Sequence, residues 1–151
     1  MALKLNSQAP DFTLASTGGG EITLSSDLAG KPCIIYFYPK DFTPGCTKEA
    51  CSFRDHFEEF RGLDIDIFGI SRDSIESHHD FKKKHNLPFE LLSDPSGAVC
   101  KKYKALIPVV GVPKRITYLL DASHKIIAVN ESMFDALGHI QAMIKEVKQS
   151  A

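Results

Sequence analysis

Two cysteines that could act together, Cys46 and Cys51, lie five residues apart and follow a segment that contains Pro39, Thr43 and Pro44. A cysteine reacts as its thiolate, which is a strong nucleophile and can be oxidised. Two neighbouring thiols can also form and release a disulfide. Both cysteines are therefore candidates for nucleophilic or redox chemistry, and the elements around them determine whether either thiol is activated.

Cys46 falls in the first turn of a predicted helix that runs from about residue 44 to residue 60. Pro44 suits the first turn because its missing N–H would be unbonded there in any case. The hydroxyl of Thr43 can cap the helix. Unbonded backbone N–H groups and the positive end of the helix dipole favour a thiolate at this place. The sequence therefore predicts that Cys46 is an activated nucleophile.

The apolar side chains of this helix share one face with Cys46. That face consists of Cys46, Ala50, Phe53, Phe57 and Phe60, at spacings of three and four residues. We therefore expect Cys46 to point inward, into a concave and mostly apolar pocket.

Cys51 lies on another side of the predicted helix, roughly 140° from Cys46 around the axis. It shares that side with Arg54, Asp55 and Glu58. In an intact helix the two cysteine Cα atoms would be about 8–9 Å apart, whereas a disulfide requires less than about 7 Å. If the two thiols are redox partners, the first turns of the helix must unwind during the reaction.

The elements that must position these cysteines alternate between strands and helices. We predict short strands at 12–14 and 22–24 around a turn at 18–20, a strand buried on both faces at 33–38, and a strand at 65–70. We predict helices at 74–85, 96–103 and about 135–148, a loop at 107–114, and a hairpin of strands at 116–120 and 126–129. This order predicts an α/β fold with a mixed central β-sheet flanked by helices.

Length and charge restrict the range of functions. The chain has 151 residues, 43% of them hydrophobic, and a formal net charge of −1, which gives no general attraction to nucleic acid or to an anionic membrane. No stretch reaches the ~20 apolar residues of a membrane helix, and the first residues lack the apolar core of a secretory signal. We therefore expect one cytoplasmic domain, residues 1–151, with neither nucleic acid nor membrane as partner.

The segment around Cys46 resembles the active site of the peroxiredoxins. Their pattern is a proline, three residues, a threonine or serine, two residues and a cysteine, and here these positions are Pro39, Thr43 and Cys46. The second cysteine, five residues further on at Cys51, resembles the bacterioferritin-comigratory-protein or peroxiredoxin Q subgroup. The similarity extends along the chain through residues 9–12, 86–89, 92–94 and 115–121.

The resemblance implies a thioredoxin-like fold and a thiol peroxidase that reduces hydrogen peroxide and organic hydroperoxides. It implies that Cys46 becomes a sulfenic acid and then forms a disulfide with Cys51. A thioredoxin- or glutaredoxin-type reductant would restore the thiols. The chain would need no metal, flavin or haem, and the subgroup favours a monomer.

The resemblance also implies roles for four further residues. Arg115 would stabilise the thiolate and the charge that develops on the peroxide oxygens. Thr43 would hydrogen-bond the thiolate or the peroxide, and Pro39 would shield the site from water. Glu49 would orient the arginine, although a glutamate in a first helical turn also complements the helix dipole.

Two other functions would use the same cysteines. A thioredoxin-like disulfide oxidoreductase uses C-x-x-C, in which both sulfurs can pair without unfolding, and the C-x4-C spacing argues against it. A peroxide sensor would pass its oxidation to a partner protein and would not turn over with a thioredoxin system.

Several other residues that could do chemistry are expected to have structural roles. Cys33 and Cys100 lie in apolar surroundings and are interpreted as buried packing residues, and the four cysteines lack the paired C-x2-C spacing of a structural zinc site. His78 and His85 share a helical face with Phe81, so we expect them to cover the sheet.

Overall fold

The computed structural model describes residues 2–62, 64–131 and Lys145. The strands are β1 Thr13–Ser16, β2 Glu21–Thr23, β3 Cys33–Phe37, β4 Asp66–Ser71, β5 Glu90–Ser93, β6 Ile116–Leu120 and β7 Ile126–Glu131. The helices are α1 Leu24–Asp27, α2 Pro44–Asp55, α3 Phe57–Arg61, α4 Ile75–His85 and α5 Ala98–Lys102. Over the described ranges the strands form a seven-stranded sheet in the order β2-β1-β5-β4-β3-β6-β7.

Strand β3 lies inside the sheet and leads directly to the cysteine segment. It pairs in parallel with β4 and antiparallel with β6, while β6 and β7 form an antiparallel hairpin. All five residues of β3 are buried, as expected for a continuous apolar strand in a sheet covered on both faces. The mixed sheet with flanking helices confirms the predicted architecture.

The side chains of β3 alternate between two hydrophobic clusters, one on each face of the sheet. Ile34 and Tyr36 face the cluster that contains Cys46, Ala50 and Phe53 from α2. The rings of Tyr36 and Phe53 stack with centroids 4.7 Å apart. Burying a large apolar side chain contributes about 1.5–3 kcal/mol, so this face holds α2, and with it Cys46, firmly against the sheet.

Several predicted boundaries are confirmed. Helix α4 begins after Ser74, whose hydroxyl accepts a hydrogen bond from the Ser77 N–H, and ends at Asn86 in the left-handed conformation, with φ of 51°. The loop at 107–114 and the hairpin of β6 and β7 also lie where the sequence predicted them.

Other predictions were wrong in their details. The helix predicted at 44–60 is divided at His56 into α2 and α3. Leu24, whose side chain is buried in the core, begins the short helix α1 instead of ending a strand. Strand β5 was not predicted, since its four residues include no β-branched or aromatic side chain.

Two predictions concern residues that are not described. The last predicted helix, 135–148, lies outside the described residues apart from Lys145, and the assignment of residues 1–151 to one domain stays a prediction. The helices found among residues 2–131 are too short or too polar to cross a bilayer.

Candidate active site

Cys46 lies in the first turn of α2, directly after the loop that leaves β3. Thr43 occupies the N-cap position with an extended backbone, and its carbonyl oxygen accepts a hydrogen bond from the Thr47 N–H at 2.8 Å. Pro44 is the first helical residue. The predicted placement of Cys46 at a helix N-terminus, where a thiolate is favoured, is therefore confirmed.

The side chain of Thr43 does not cap the helix, contrary to the prediction. Its hydroxyl donates a hydrogen bond to the carbonyl oxygen of Lys40 at 2.8 Å, because a threonine side chain can equally well bond back into its own loop. The hydroxyl proton is thereby engaged, whereas the oxygen can still accept a hydrogen bond from another group.

Arg115 lies between the sulfur of Cys46 and a buried carboxylate. Its Nη2 atom donates to Cys46 Sγ at 3.4 Å, and its Nη1 atom lies 2.5 Å from Glu49 Oε1. Arg115 directly precedes β6, which pairs with β3. This pairing places the guanidinium next to the first turn of α2. Arg115 is 5% exposed and Glu49 is fully buried, so water screens these charges little.

Gly45 permits the close approach of the guanidinium. A Cβ atom at this position would lie 3.0 Å from Arg115 Nη2, closer than an ordinary contact between nonbonded atoms. Any other residue at position 45 would therefore press the guanidinium away from its present place.

The buried pair of Glu49 and Arg115 has unusual protonation properties. Burial raises the pKa of the Glu49 carboxyl from 4.5 to about 7, although the charge of Arg115 opposes the rise. Burial acts to lower the pKa of Arg115, but Glu49 and Cys46 raise it above its ordinary value. Arg115 therefore stays charged and presents a fixed positive charge to Cys46 Sγ, while Glu49 can gain or lose a proton near neutral pH.

Substitution of Glu49 by glutamine is expected to change how stability depends on pH. Because the pKa of Glu49 is about 7 in the folded protein against an ordinary 4.5, the folded protein binds this proton more tightly than the unfolded chain. The free energy of unfolding of the wild type should fall, relative to Glu49→Gln, by on the order of 1–3 kcal/mol as the pH rises through this range. Urea denaturation between about pH 5 and pH 8 measures the difference.

The control for this experiment is Glu58→Gln, which alters an exposed carboxylate on α3. Its stability curve should run parallel to that of the wild type. A constant difference between Glu49→Gln and the wild type across the whole pH range would contradict the raised pKa of Glu49.

Cys51 lies half-buried on another side of α2, and both it and Cys46 are free thiols. Its Sγ atom lies 3.8 Å from Nδ1 of His85, the last residue of α4. The intact helix thus keeps the two cysteines apart, as the spacing predicted. The sequence prediction that His85 only covers the sheet missed this contact.

The inward orientation predicted for Cys46 is confirmed, while the concave apolar pocket expected beside it stays a prediction. Cys46 is 1% exposed, because the apolar face of α2 packs directly on the sheet. A depression of about 410 Å³ beside the loop is lined by Pro39, Lys40 and Arg72 among others, and Cys46 does not line it. Pro39 therefore borders a surface depression, whereas Cys46 is buried.

A buried polar network supports the loop that carries Thr43, and the sequence did not reveal it. Asp41 is 3% exposed and accepts hydrogen bonds from the hydroxyls of Tyr38 and Ser77, at 2.5 and 2.8 Å. His78 Nδ1 lies 2.7 Å from Asp41 Oδ2, and the Asp41 N–H donates to Asp73 Oδ2 at 2.9 Å. The loop is thus tied to α4 and to the end of β4 by charged and polar groups, in addition to the packing of Phe42 on Phe81, whose ring centroids lie 5.1 Å apart.

The same network contains three side chains whose oxygen or nitrogen atoms lie within 4.8 Å of one another, those of Asp41, Asp73 and His78. Their hydrogen bonds run to one another and to nearby groups, including the Leu92 carbonyl oxygen at 2.9 Å from His78 Nε2. This arrangement is that of a satisfied polar network. His78 covers the sheet as predicted, and it also joins the loop to α4.

The two remaining cysteines are buried, as predicted. Cys33 and Cys100 are both fully buried. Burial, with a smaller contribution from Asp66, raises the pKa of Cys33 to about 12. Burial also raises the pKa of Cys100, together with Asp94. Both therefore stay protonated and poorly nucleophilic.

Comparison with known proteins identifies the family to which this arrangement belongs. Residues 5–129 match the model of the AhpC/TSA family. The chain belongs to that family. A putative peroxiredoxin bcp of Coxiella burnetii is 44% identical over 135 residues, which are 85% of this chain and 89% of that protein. Chloroplastic peroxiredoxin Q of Oryza sativa subsp. japonica is 42% identical over 140 residues, 92% of this chain and 64% of the rice protein.

Solved structures agree with these relatives. The peroxidoxin BcpB of Mycobacterium tuberculosis superposes with a TM-score of 0.91 at 32% identity, covering 97% of both chains. The bacterioferritin comigratory protein of Xanthomonas campestris gives a TM-score of 0.86 at 32% identity over 99% of both chains. The predicted thioredoxin-like fold and peroxiredoxin Q resemblance are therefore confirmed. The protein is a thiol peroxidase of the atypical two-cysteine peroxiredoxin class.

Proposed function

We propose that Cys46 is the nucleophile of this peroxiredoxin, that Cys51 is its disulfide partner, and that Arg115 stabilises the reacting groups. The observation that carries the proposal is the guanidinium of Arg115, whose Nη2 atom lies 3.4 Å from Cys46 Sγ at the start of α2. A helix N-terminus and a buried cation together favour the thiolate, which is the reactive form.

In the first step the Cys46 thiolate attacks one oxygen of a hydroperoxide. An S–O bond forms, the O–O bond breaks, and the other oxygen takes up a proton and leaves as water or an alcohol. Arg115 carries donors that can stabilise the charge developing on the oxygens. The oxygen of Thr43 can accept the hydrogen bond of the peroxide O–H, because its own proton is engaged by Lys40.

In the second step the thiol of Cys51 condenses with the sulfenic acid of Cys46, and water leaves. The two sulfurs lie on different sides of α2, so the first turns of this helix must unwind before they meet. A thioredoxin- or glutaredoxin-type protein would then reduce the disulfide by thiol–disulfide exchange. In this scheme Glu49 orients the guanidinium of Arg115, and Pro39 shields the site from water.

The proposed substrates are hydrogen peroxide and organic hydroperoxides. Cys46 is 1% exposed, which favours an oxidant whose reactive peroxide group is small enough to reach a buried sulfur. The related protein of X. campestris has been studied for alkyl peroxide reduction, which supports the organic part of this range. We also propose that the protein acts as a monomer in the cytoplasm, as predicted from the sequence.

Substitution of Cys51 by serine is expected to separate the two steps. The first attack on peroxide should keep its rate, since Cys46 and Arg115 are untouched. Consumption with a thioredoxin system should then stop after about two peroxides per chain, the first forming the sulfenic acid of Cys46 and the second, when peroxide is in excess, converting it to a sulfinic acid. Stopped-flow measurement of peroxide consumption, followed by mass spectrometry of the product, tests both expectations.

The matched control is Cys100→Ser, which alters a buried cysteine away from α2 and should cycle like the wild type. Unchanged cycling of Cys51→Ser would mean that another thiol forms the disulfide. Cys100 and Cys33 would then be the next candidates.

A further inference from the structure

His85 contacts a sulfur that takes part in the proposed reaction, although the sequence predicted only that it covers the sheet. Its Nδ1 atom lies 3.8 Å from Cys51 Sγ, within hydrogen-bonding distance for a sulfur. Both side chains are half-buried. A neutral imidazole nitrogen at this distance can accept the proton of a thiol.

The imidazole of His85 is held in place by its neighbours. Its ring packs edge-on against Phe81 on its own helix, with centroids 5.2 Å apart, and lies 6.5 Å from the ring of Phe42 in the active-site loop. On the other side, Nη1 of Arg54 donates a hydrogen bond to the His85 carbonyl oxygen at 2.8 Å. The contact with Cys51 is therefore part of a packed junction between α2 and α4.

This junction should survive the unwinding that disulfide formation requires. Cys51 lies in the middle of α2, and the residues that follow it anchor the helix, with Phe53 fully buried against Tyr36. The hydrogen bond from Arg54 fixes the same half of α2 to α4. Unwinding of the first turn can therefore carry Cys46 toward Cys51 while Cys51 stays beside His85.

We propose that His85 is the proton acceptor that activates Cys51 for disulfide formation. This inference rests on the proposed function, in which Cys51 attacks the sulfenic acid of Cys46. His85 Nδ1 takes the thiol proton as the Cys51 sulfur forms the S–S bond. The S–O bond of the sulfenic acid breaks, and the departing oxygen leaves as water after it accepts the proton. The sulfur of Cys51 is oxidised and that of Cys46 is reduced, so no further reactant is needed.

The charges around the ring are consistent with this role. The titratable and charged groups that face it from α2 are Cys51 and Arg54, and the loop contributes the uncharged Phe42. The hydrogen bond to Asp55 is the largest cause of the raised pKa of Arg54, and Cys51 adds to it. The positive charge of Arg54 therefore lies in the neighbourhood of both Cys51 and His85.

The test follows single-turnover oxidation of His85→Gln and His85→Asn, both in a Cys33→Ser, Cys100→Ser background. One equivalent of hydrogen peroxide is added, samples are quenched with acid and an alkylating agent, and mass spectrometry counts sulfenic acid, disulfide and sulfinic acid. Disulfide formation near neutral pH should slow by about 10- to 100-fold, because an unassisted thiol is only a few per cent ionised there, with more sulfinic acid in excess peroxide. The deficit should shrink as the pH rises and the thiol ionises without help.

The matched control is His79→Gln, since His79 is an exposed histidine six residues earlier on the same helix. It should form the disulfide at the rate of the parent protein. The rate of sulfenic acid formation at Cys46 should be equal in all variants, which shows that each is folded.

The remaining outcomes separate the two proposals. Disulfide formation by both His85 variants at the parental rate or faster, or a deficit that does not change with pH, would overturn the role of His85 and leave the proposed function intact. Absence of a Cys46–Cys51 disulfide in the parent protein would overturn the proposed function itself.

Discussion

Replacement of Cys46 by serine is expected to lower peroxide reduction by about 10⁴-fold or more, because a serine hydroxyl at this position stays protonated and cannot take up the peroxide oxygen. The positive charge of Arg115, 3.4 Å from the sulfur, favours a thiolate but cannot ionise an alcohol to a useful extent. The second-order rate constant for peroxide, measured by stopped flow with and without a thioredoxin system, tests this expectation.

The fold should tolerate this change, since serine is nearly the size of cysteine and Arg115 can donate a hydrogen bond to its hydroxyl oxygen. Thermal unfolding of the variant would verify that it is folded. Cys33→Ser is the control, because Cys33 is buried on the opposite face of the sheet. Retention of peroxide turnover by folded Cys46→Ser would rule out Cys46 as the nucleophile.

Replacement of Arg115 by glutamine is expected to lower the rate of the first attack by about 10²–10³-fold, the usual loss when a buried donor to a developing charge is removed. Glutamine removes the positive charge beside the sulfur, and its shorter side chain does not carry an N–H donor as far as the present position of Arg115 Nη2. The measurement is the second-order rate constant for sulfenic acid formation, together with the alkylation rate of Cys46 as a function of pH.

Loss of the positive charge in Arg115→Gln should not leave Glu49 as a buried, unpaired negative charge. The pKa of Glu49 already lies near 7 because of burial, so loss of the arginine should leave this carboxyl neutral instead of buried and charged. The double variant Arg115→Gln, Glu49→Gln removes the carboxyl altogether and should be equally slow. Arg61→Gln, an exposed site on α3, is the control, and an unchanged attack rate in Arg115→Gln would contradict a role for the guanidinium.

The start of α2 could be predicted because its signals are local. Thr43, Pro44 and the apolar spacing from Cys46 to Phe53 act through neighbouring residues on one helix, so the sequence itself places the cysteine in the first turn. The same applies to the end of α4, where Asn86 adopts the left-handed conformation that favours this residue type.

The contact between Arg115 and Cys46 could not be derived from local patterns. The two residues are 69 positions apart in the chain, and they meet only because β6 pairs with β3. Resemblance to a family predicted the contact, whereas periodicity could not. The same limit explains why the hydrogen-bond network of Asp41 and His78 was missed. A histidine on an apolar helical face is interpreted as a packing residue as long as its distant hydrogen-bond partner is unknown.

Gly45 has a consequence that reaches beyond the space it leaves for the guanidinium. Glycine weakens a helix by up to about 1 kcal/mol relative to alanine, and in the proposed reaction it sits in the turn that opens before the two sulfurs join. Under the proposed mechanism, the missing Cβ atom would help in both steps: it leaves room for the guanidinium of Arg115 against the folded turn, and it lowers the free energy needed to unwind that turn. A residue with a Cβ atom and less backbone freedom at position 45 would crowd the guanidinium in the folded turn, and it would make that turn harder to unwind for disulfide formation.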